Sequence, residues 1–291
     1  MNASELLLMR MSEYVPNPSL SENHLTGTAL DLQLSSEGGL PKGDKILLYG
    51  GPGAGKSSVV LDALANMQNL NPDLKVLYVC IEMTPRQLRH LAKHYPKIND
   101  IPILFISNSS AGTQRTEEVM EQVLKKGWDV VAFDSFAPLA ARIRRQGKIT
   151  LEEANYRLLS MMDRQCEGEN ERGVATSVIA IQQCTKAGKA RGSNTLVHAF
   201  GATVELKVVD ENNPFSERYI SSPKNRFGAN LRLYYDLSEG GDVWYDEAAL
   251  LEEIDNAHKK MTHRKSHADM SAALERIFSE SLLTGYENNQ R

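Results

Sequence analysis

Short apolar runs alternate with amphipathic stretches along the first two thirds of the chain. Runs rich in Val, Ile and Leu, typical of buried strands, cover residues 45–50, 75–81, 101–107, 129–134 and 175–183. Between most of them, apolar positions recur every three or four residues, which predicts helices over 55–68, 84–95, 115–126 and 150–166. Strands that alternate with helices form a mostly parallel sheet covered on both faces, so we expect an α/β fold.

The pattern changes after residue 183. Strand-like runs follow one another without helices between them at 202–209, 217–222, 230–236 and 242–245. The sheet is therefore expected to continue as an antiparallel extension. Short helical ends are predicted over 3–13, 246–262 and 268–283. The expected organisation is an N-terminal helix and polar linker (1–35), an α/β core (36–245) and a C-terminal helical tail (246–291).

Composition places the chain among ordinary globular proteins. Of its 291 residues, 24% are charged and 41% are apolar, and the net charge of −4 means that any site for a polyanion must be local. Cys80, Cys166 and Cys184 are scattered, which argues against a zinc site or a secreted disulfide framework. The sequence lacks a signal peptide pattern and a long apolar run. We expect a cytoplasmic protein without a membrane partner.

The sequence GGPGAGKSS at 50–58 fits the phosphate-binding pattern G-x-x-x-x-G-K-[ST]. It lies directly after a predicted strand and opens a predicted helix, where backbone N–H groups and the helix N-terminus attract phosphate. Lys56 would reach the β- and γ-phosphates of ATP, and Ser57 would bind Mg²⁺. The predicted nucleotide-binding residues of this loop are Gly50, Gly51, Pro52, Gly53, Ala54, Gly55, Lys56, Ser57 and Ser58.

Three polar residues end predicted strands and would share the edge where ligands bind to open α/β sheets. Asp134 is expected to support the Mg²⁺ and complete the nucleotide site, although a lone Asp after a strand is commonly a turn former or helix cap. Glu82 is the candidate general base that activates water, with a place in the first turn of the next helix as the alternative. Gln183 would sense the γ-phosphate, and a plain strand-end glutamine is nearly as good an interpretation.

A fourth feature, the stretch SPKNRFGAN, places Lys224 and Arg226 on a turn between two strand-like runs. Side chains two residues apart on an extended segment point the same way. Both cations are therefore aimed at one anion, or they merely solvate a hairpin end. Nothing within the flanking strands supplies the anion.

Taken together, these blocks resemble two families of ring-forming ATPase. Their order is that of the RecA-like core of the bacterial recombination ATPase RadA (also called Sms) and of the motor domain of DnaB-type replicative helicases. The resemblance covers about residues 25–245, and KNRFG is its most RadA-like block. The zinc module and Lon-protease-like domain of RadA, and the helical N-terminal domain of DnaB, are not matched. A phage or mobile-element origin is one interpretation of this shorter chain.

The resemblance implies a RecA-like P-loop NTPase that binds ATP between neighbouring subunits of a homo-oligomeric ring, expected to be a hexamer. Lys224 and Arg226 would be its lysine and arginine fingers, which reach across to the ATP of the next subunit. They would thus join Glu82 and Gln183 in the catalytic set. His198 resembles a position in RadA, but a lone His beside an apolar run is more often structural.

The same resemblance implies two DNA-binding loops that face a central channel. The first follows Asp134 and carries Arg142, Arg144, Arg145 and Lys148. The second follows Gln183 and carries Lys186, Lys189 and Arg191. Neither contains aromatic residues that would stack on bases, so contacts would be made mostly to phosphates and would be sequence-independent. Ordinary solvated loops are the alternative, more so for the first loop than for the second.

The sequence therefore predicts a Mg²⁺-dependent ATPase that forms a ring and moves along single-stranded DNA. It leaves open a helicase role in replication or a branch-migration role in recombination, with a partner protein docking on residues 246–291. Two alternatives come from other classes. One is a circadian-clock-like regulatory ATPase that acts on protein partners, and the other is a loading or packaging accessory that uses nucleotide as an assembly switch.

Overall fold

The computed structural model describes residues 22–106, 115–184, 194–210, 213, 216–257 and 259. The chain divides into two compact units, Met1–Asp246 and Glu247–Arg291. The second unit is helical over 247–257, within the predicted helix 246–262. The predicted helices over 3–13 and 268–283 lie outside the described residues. None of the described helices is both long and apolar enough to cross a membrane.

The first unit is built on one mixed β-sheet, which has nine strands within the described residues. Its order is β3-β2-β4-β5-β1-β6-β7-β8-β9; neighbours from β3 to β6 are parallel, and those from β6 to β9 are antiparallel. The predicted α/β fold with an antiparallel extension is confirmed. The strands are β1 (Lys45–Gly50), β2 (Val76–Cys80), β3 (Ile103–Phe105), β4 (Val130–Asp134), β5 (Ser177–Gln183), β6 (Ala202–Val208), β7 (Arg218–Asn225), β8 (Leu233–Leu237) and β9 (Val243–Tyr245).

Helices cover the parallel part of the sheet. Strands β1, β2 and β4 are buried along their whole length, which explains their continuous apolar sequences. The helices are α1 (Leu30–Leu34), α2 (Lys56–Leu70), α3 (Pro85–His94), α4 (Thr116–Leu124), α5 (Phe136–Gly147), α6 (Leu151–Cys166) and α7 (Asn194–His198), and Pro96–Ile98 forms one 3₁₀ turn. Side chains of α4, α5 and α6 form one core with β1, β2, β4 and β5.

The prediction that the first DNA-binding loop follows Asp134 is wrong, because helix α5 occupies residues Phe136–Gly147. Leu139, Ala140 and Ile143 share one face of this helix and are buried in the core. Three arginines in the same stretch obscured that apolar period in the sequence. The basic residues assigned to the first DNA-binding loop therefore lie on or just after a helix that is anchored in the core.

The described part of the predicted N-terminal linker is also folded. The Asp31 carboxylate accepts hydrogen bonds from the Thr26 and Gly27 amides, both at 2.8 Å, and Leu30 and Leu34 are buried. The Gln33 side chain donates to Ser222 Oγ on β7 at 3.0 Å. The expectation of a polar connection through residue 35 is thus wrong for residues 22–35. Long-range contacts with β7, which the local pattern could not reveal, order this segment.

Candidate active site

The predicted phosphate loop joins the carboxyl end of β1 to the start of α2. At two glycines of this loop, any other residue would clash with its neighbours. A Cβ on Gly50 would lie 2.4 Å from the Leu206 carbonyl oxygen, and Gly55 has a φ of +84° with Leu237 Cδ1 only 2.6 Å from its Cβ position. Both observations require the absence of a side chain. The loop is therefore held tightly between the strand and the N-terminus of α2, where phosphate is stabilised.

Lys56 folds back over this loop. Its ammonium group donates to the carbonyl oxygens of Gly50 at 3.0 Å and Gly51 at 2.8 Å. Burial lowers the pKa of Lys56, while nearby negative charges, including those of Asp134 and Glu82, raise it. Hydrogen bonds to ionised acceptors are stronger than those to neutral carbonyls. A phosphate in the loop would thus displace the carbonyl oxygens as partners of the ammonium group.

Asp134 ends β4 beside this loop and receives two hydroxyl donors. Ser57 Oγ donates to Asp134 Oδ2 at 2.6 Å, and the hydroxyl of Tyr78 donates to the same oxygen. Burial raises the pKa of Asp134, and these two hydrogen bonds lower it. A hydroxyl and a carboxylate are oxygen ligands of the kind Mg²⁺ takes together with phosphate and water. The residues present therefore fit the predicted metal ion.

Glu82 follows β2 and carries its carboxylate at the mouth of the same site. The hydroxyl of Ser135 and the amide nitrogen of Gln183 both donate to Glu82 Oε1, the latter at 3.2 Å. Glu82 and Gln183 are exposed to solvent, unlike Asp134. The carboxylate is thus oriented by neighbours and open to water, as a general base requires. The sequence did not reveal the part that Ser135 plays.

These groups surround one cleft at the carboxyl edge of the parallel strands. Its volume is about 360 Å³, within the range of ligand pockets. Among the predicted site residues, the cleft is lined by Pro52, Gly53, Gly55, Lys56, Ser57, Ser58, Glu82, Asp134 and Gln183. Strand β8 supports it from outside, because the Tyr235 hydroxyl donates to the Ala54 carbonyl oxygen. No local motif marks Tyr235, since the contact depends on the fold of the antiparallel extension.

Lys224 and Arg226 lie at the opposite side of the sheet from the cleft, beside the amino ends of the parallel strands (the amino edge). Lys224 pairs with Thr203 on β6, which in turn pairs with Leu47 near the start of β1. The Arg226 amide donates to the Gly201 carbonyl oxygen at 3.4 Å. The Gly201 amide in turn donates to the Lys45 carbonyl oxygen. Five strand positions separate Lys45 from Gly50, which corresponds to about 16 Å. Neither cation lines the nucleotide cleft of its own chain.

The two cations differ in their surroundings. Lys224 Nζ donates to the carbonyl oxygens of Val197 at 3.0 Å, His198 at 3.3 Å and Phe200 at 2.5 Å, at the C-terminal end of α7. Burial and the charge of Arg226 lower the pKa of Lys224. Arg226 is exposed. Burial raises the pKa of the nearby Asp44, and contacts with Lys45 and the charge of Arg226 oppose that shift. His198 thus has a backbone role in holding Lys224.

The predicted DNA-binding residues have separate outcomes. Lys186, Lys189 and Arg191 lie outside the described residues. Arg142 is only 8% exposed, and its Nε donates to Thr116 Oγ1 at 2.7 Å. Its assignment to a DNA-binding loop is therefore wrong in this structure, because the side chain packs between α4 and α5. Arg144, Arg145 and Lys148 are exposed at the C-terminal end of α5.

Comparisons with known proteins agree with this geometry. Residues 8–201 match the RecA N-terminal domain family. The chain is 27% identical to the DNA repair protein RadA of Campylobacter jejuni over 227 residues, which cover 76% of this chain and 46% of that protein. It is 30% identical to the protein RecA of Nostoc punctiforme over 171 residues, 58% of this chain and 46% of that protein. The chain thus spans about half the length of the curated relatives it matches.

A solved structure shows the same fold. The crystal structure of a KaiC-like protein from Pyrococcus horikoshii OT3 aligns with a TM-score of 0.59 and covers 77% of this chain and 99% of that chain. At 17% identity, the likeness concerns the fold alone. The predicted resemblance to RadA is therefore supported by sequence, and the RecA-like core by both sequence and structure.

Proposed function

Since this chain belongs to the RecA N-terminal domain family, we propose that it is a Mg²⁺-dependent ATPase that forms a hexameric ring and moves along single-stranded DNA. The observation that carries the proposal is the convergence of a phosphate loop, a hydroxyl–carboxylate pair and an oriented glutamate on one cleft. Within one subunit, this set supplies the phosphate-binding, metal-binding and general-base groups that phosphoryl transfer to water needs. The relative named DNA repair protein RadA supports a role in DNA repair. A role in recombination or replication, in the cytoplasm of a bacterium or from its phage, is part of the proposal.

Each residue of the cleft has a step that follows from its contacts. Lys56 exchanges the two loop carbonyls for the β- and γ-phosphates of ATP. Ser57 and Asp134 would hold Mg²⁺, which would neutralise phosphate charge. Glu82 takes the proton from the attacking water. Gln183 donates to Glu82 in this structure, and its amide is close enough to the cleft to report whether a γ-phosphate is present.

The proposal places catalysis between subunits. Lys224 and Arg226 lie about five strand positions from the loop of their own chain, which supports a role at the ATP of a neighbouring subunit. Arg226 is exposed, as a group that inserts into another subunit must be. Arginine fingers increase the hydrolysis rate by about 10³–10⁵-fold. Hydrolysis would therefore depend on assembly.

DNA would be held through its phosphates. Lys186, Lys189 and Arg191 are the proposed contacts of the loop after β5, and Arg144, Arg145 and Lys148 are those at the end of α5. Salt weakens binding of this kind. For a single strand, the slope of log affinity against log salt concentration becomes steeper by about 0.7 for each neutralised phosphate. A helicase of DnaB type and a branch-migration factor of RadA type are both compatible with such contacts. The proposed docking of a replication or recombination partner on residues 246–291 is a separate part of the hypothesis.

The test measures ATP hydrolysis with and without single-stranded DNA at two salt concentrations. We expect DNA to stimulate turnover in the wild type and not in Lys186→Ala/Lys189→Ala/Arg191→Ala. The control is Lys125→Ala/Lys126→Ala, which removes two exposed lysines after α4 and should leave stimulation unchanged. If DNA neither binds nor stimulates turnover, the motor proposal fails. Turnover indifferent to DNA would favour a regulatory ATPase, and binding of nucleotide with negligible turnover would favour an assembly switch.

A further inference from the structure

Tyr78 is a fully buried tyrosine that contacts the nucleotide site. It lies in the middle of β2 and has 0% exposure. Its hydroxyl donates a hydrogen bond to Asp134 Oδ2. The predicted site residues of the phosphate loop, Asp134 and Glu82 do not include this position. The contact therefore connects a residue without an assigned role to a proposed metal ligand.

The parallel register explains why this one tyrosine reaches the carboxylate. Tyr78 pairs with Ala132 and Cys80 pairs with Asp134, so Tyr78 lies two positions before the level of the carboxylate. A long aromatic side chain that leans along the strand can cover that offset. Ser57 Oγ reaches the same oxygen from the start of α2 at 2.6 Å. Two hydroxyls, from a strand and from a helix, thus converge on Oδ2.

The environment makes the tyrosine hydroxyl the more constant of the two donors. Asp134 is only 2% exposed, so its charge depends on protein donors rather than on solvent. Ser57 is also a proposed metal ligand, so its hydroxyl would have to satisfy the ion as well as Asp134. The phenolic group of Tyr78 has one proton to donate, and in this structure it donates to Asp134. Tyr78 can therefore hold the carboxylate in the same orientation before and after metal binding.

We propose that Tyr78 is a positioning residue for the metal: by holding Oδ2 of Asp134, it would keep this carboxylate in the orientation that binds Mg²⁺ or its bound water. The inference rests on the proposed function for the identity of the ion. Groups that orient metal ligands in this way typically change metal affinity by about 10–100-fold when removed. Tyr78→Phe removes the hydroxyl and keeps the ring, so the expected loss comes from orientation rather than from packing.

The test measures metal binding directly. Mn²⁺ is titrated into the protein with a non-hydrolysable ATP analogue, and free Mn²⁺ is followed by electron paramagnetic resonance. We expect Tyr78→Phe to weaken Mn²⁺ binding at least about 10-fold while binding of the analogue without metal stays unchanged. The matched control is Tyr245→Phe, because Tyr245 is also a tyrosine with a buried hydroxyl, and that hydroxyl has no hydrogen-bond partner within the described residues. This control should bind Mn²⁺ like the wild type.

A second measurement keeps the inference testable if Tyr78→Phe is less stable. The loss of unfolding free energy caused by Tyr78→Phe without metal should be smaller in an Asp134→Asn background, because the charged acceptor is already absent. Binding is measured well below the lowest melting temperature of the set. Equal Mn²⁺ affinity in Tyr78→Phe and wild type overturns the positioning role. So does a loss of analogue binding without metal that is as large as the loss of Mn²⁺ binding. If the wild type binds neither analogue nor Mn²⁺, the proposed function fails instead.

Discussion

The carboxyl edge and the amino edge, which are the two ends of the parallel strands, differ in the hydrogen-bond partners of their charged groups. At the carboxyl edge, Lys56, Asp134 and Glu82 bond to groups around one cleft, and each has a defined neighbour. At the amino edge, Lys224 is held by backbone carbonyls and Arg226 is exposed. The groups at the first edge line one cleft, whereas Lys224 and Arg226 do not line it. This difference fits the proposal that the two cations complete the site of a second copy.

Further contacts lie at the amino edge. The His24 and Leu40 backbones pair with each other, and Ser177 Oγ donates to the Pro41 carbonyl oxygen at 2.9 Å. Arg172 forms an ion pair with Asp129 at 3.0 Å. The first contact lies within the segment that precedes β1, the second joins that segment to the start of β5, and the third joins the residue before β4 to the loop before β5.

The largest expected effect is that of Arg226→Ala. If Arg226 completes the site of a neighbouring subunit, ATP hydrolysis should fall by about 10³–10⁵-fold, or roughly 4–7 kcal/mol in barrier. Nucleotide binding should be retained, because the binding cleft lies at the other edge. Steady-state turnover and binding of a fluorescent ATP analogue measure the two quantities separately.

The control and the complementation test decide between the two edges. Arg232→Ala removes another exposed arginine of the antiparallel extension and should leave turnover near that of the wild type. Mixing Arg226→Ala with Glu82→Gln should restore part of the activity, since some interfaces then contain one intact half from each variant. No recovery in freely exchanging mixtures would show that the two edges do not act together.

Glu82→Gln should give the next largest effect. The amide cannot accept the proton of water, so hydrolysis should fall by about 10²–10⁴-fold. ATP should still bind, because Glu82 lies at the mouth of the cleft. Single-turnover hydrolysis measures the chemical step. Glu152→Gln, an exposed glutamate on α6, is the control, and equal rates in both variants would remove Glu82 from the catalytic set.

The smallest effect concerns the stability of the amino edge. Burial, and to a lesser degree the charge of Lys42, lowers the pKa of His24 from 6.5 to about 4, while Asp129 opposes the shift. A histidine that is neutral when folded and protonated when unfolded destabilises the fold as the pH falls from 6.5 to 4. His24 should therefore lower the free energy of unfolding by about 2 kcal/mol between pH 7 and pH 5.

Urea denaturation at the two pH values tests this contribution. His24→Gln should lose about 2 kcal/mol less than the wild type over the same interval. Because His24 lies away from the cleft, nucleotide affinity at pH 7 should be unchanged by the substitution. An identical pH dependence in both proteins would show that His24 is not buried as a neutral group.

Local patterns were sufficient to predict the position of groups that lie at one strand end or in its next turn. The phosphate loop, Asp134, Glu82 and Gln183 could be predicted because parallel strands all present their carboxyl ends at one edge. Prediction failed where distant segments meet. Helix α5 was missed because its charged residues masked a narrow apolar face. Tyr78 and Ser135 were missed because their roles depend on which hydroxyl reaches which carboxylate across neighbouring strands and turns.

The sequence by itself determined the α/β order, the phosphate loop and the pair of cations two residues apart. These features are encoded in spacing, and spacing along a strand or around a helix is fixed by backbone geometry. Only the tertiary structure decided that Arg142 is buried, that Tyr78 holds Asp134, and that Lys224 and Arg226 lie at the edge opposite the nucleotide cleft. Strand order and register decide these relations, and both depend on contacts between residues far apart in the chain.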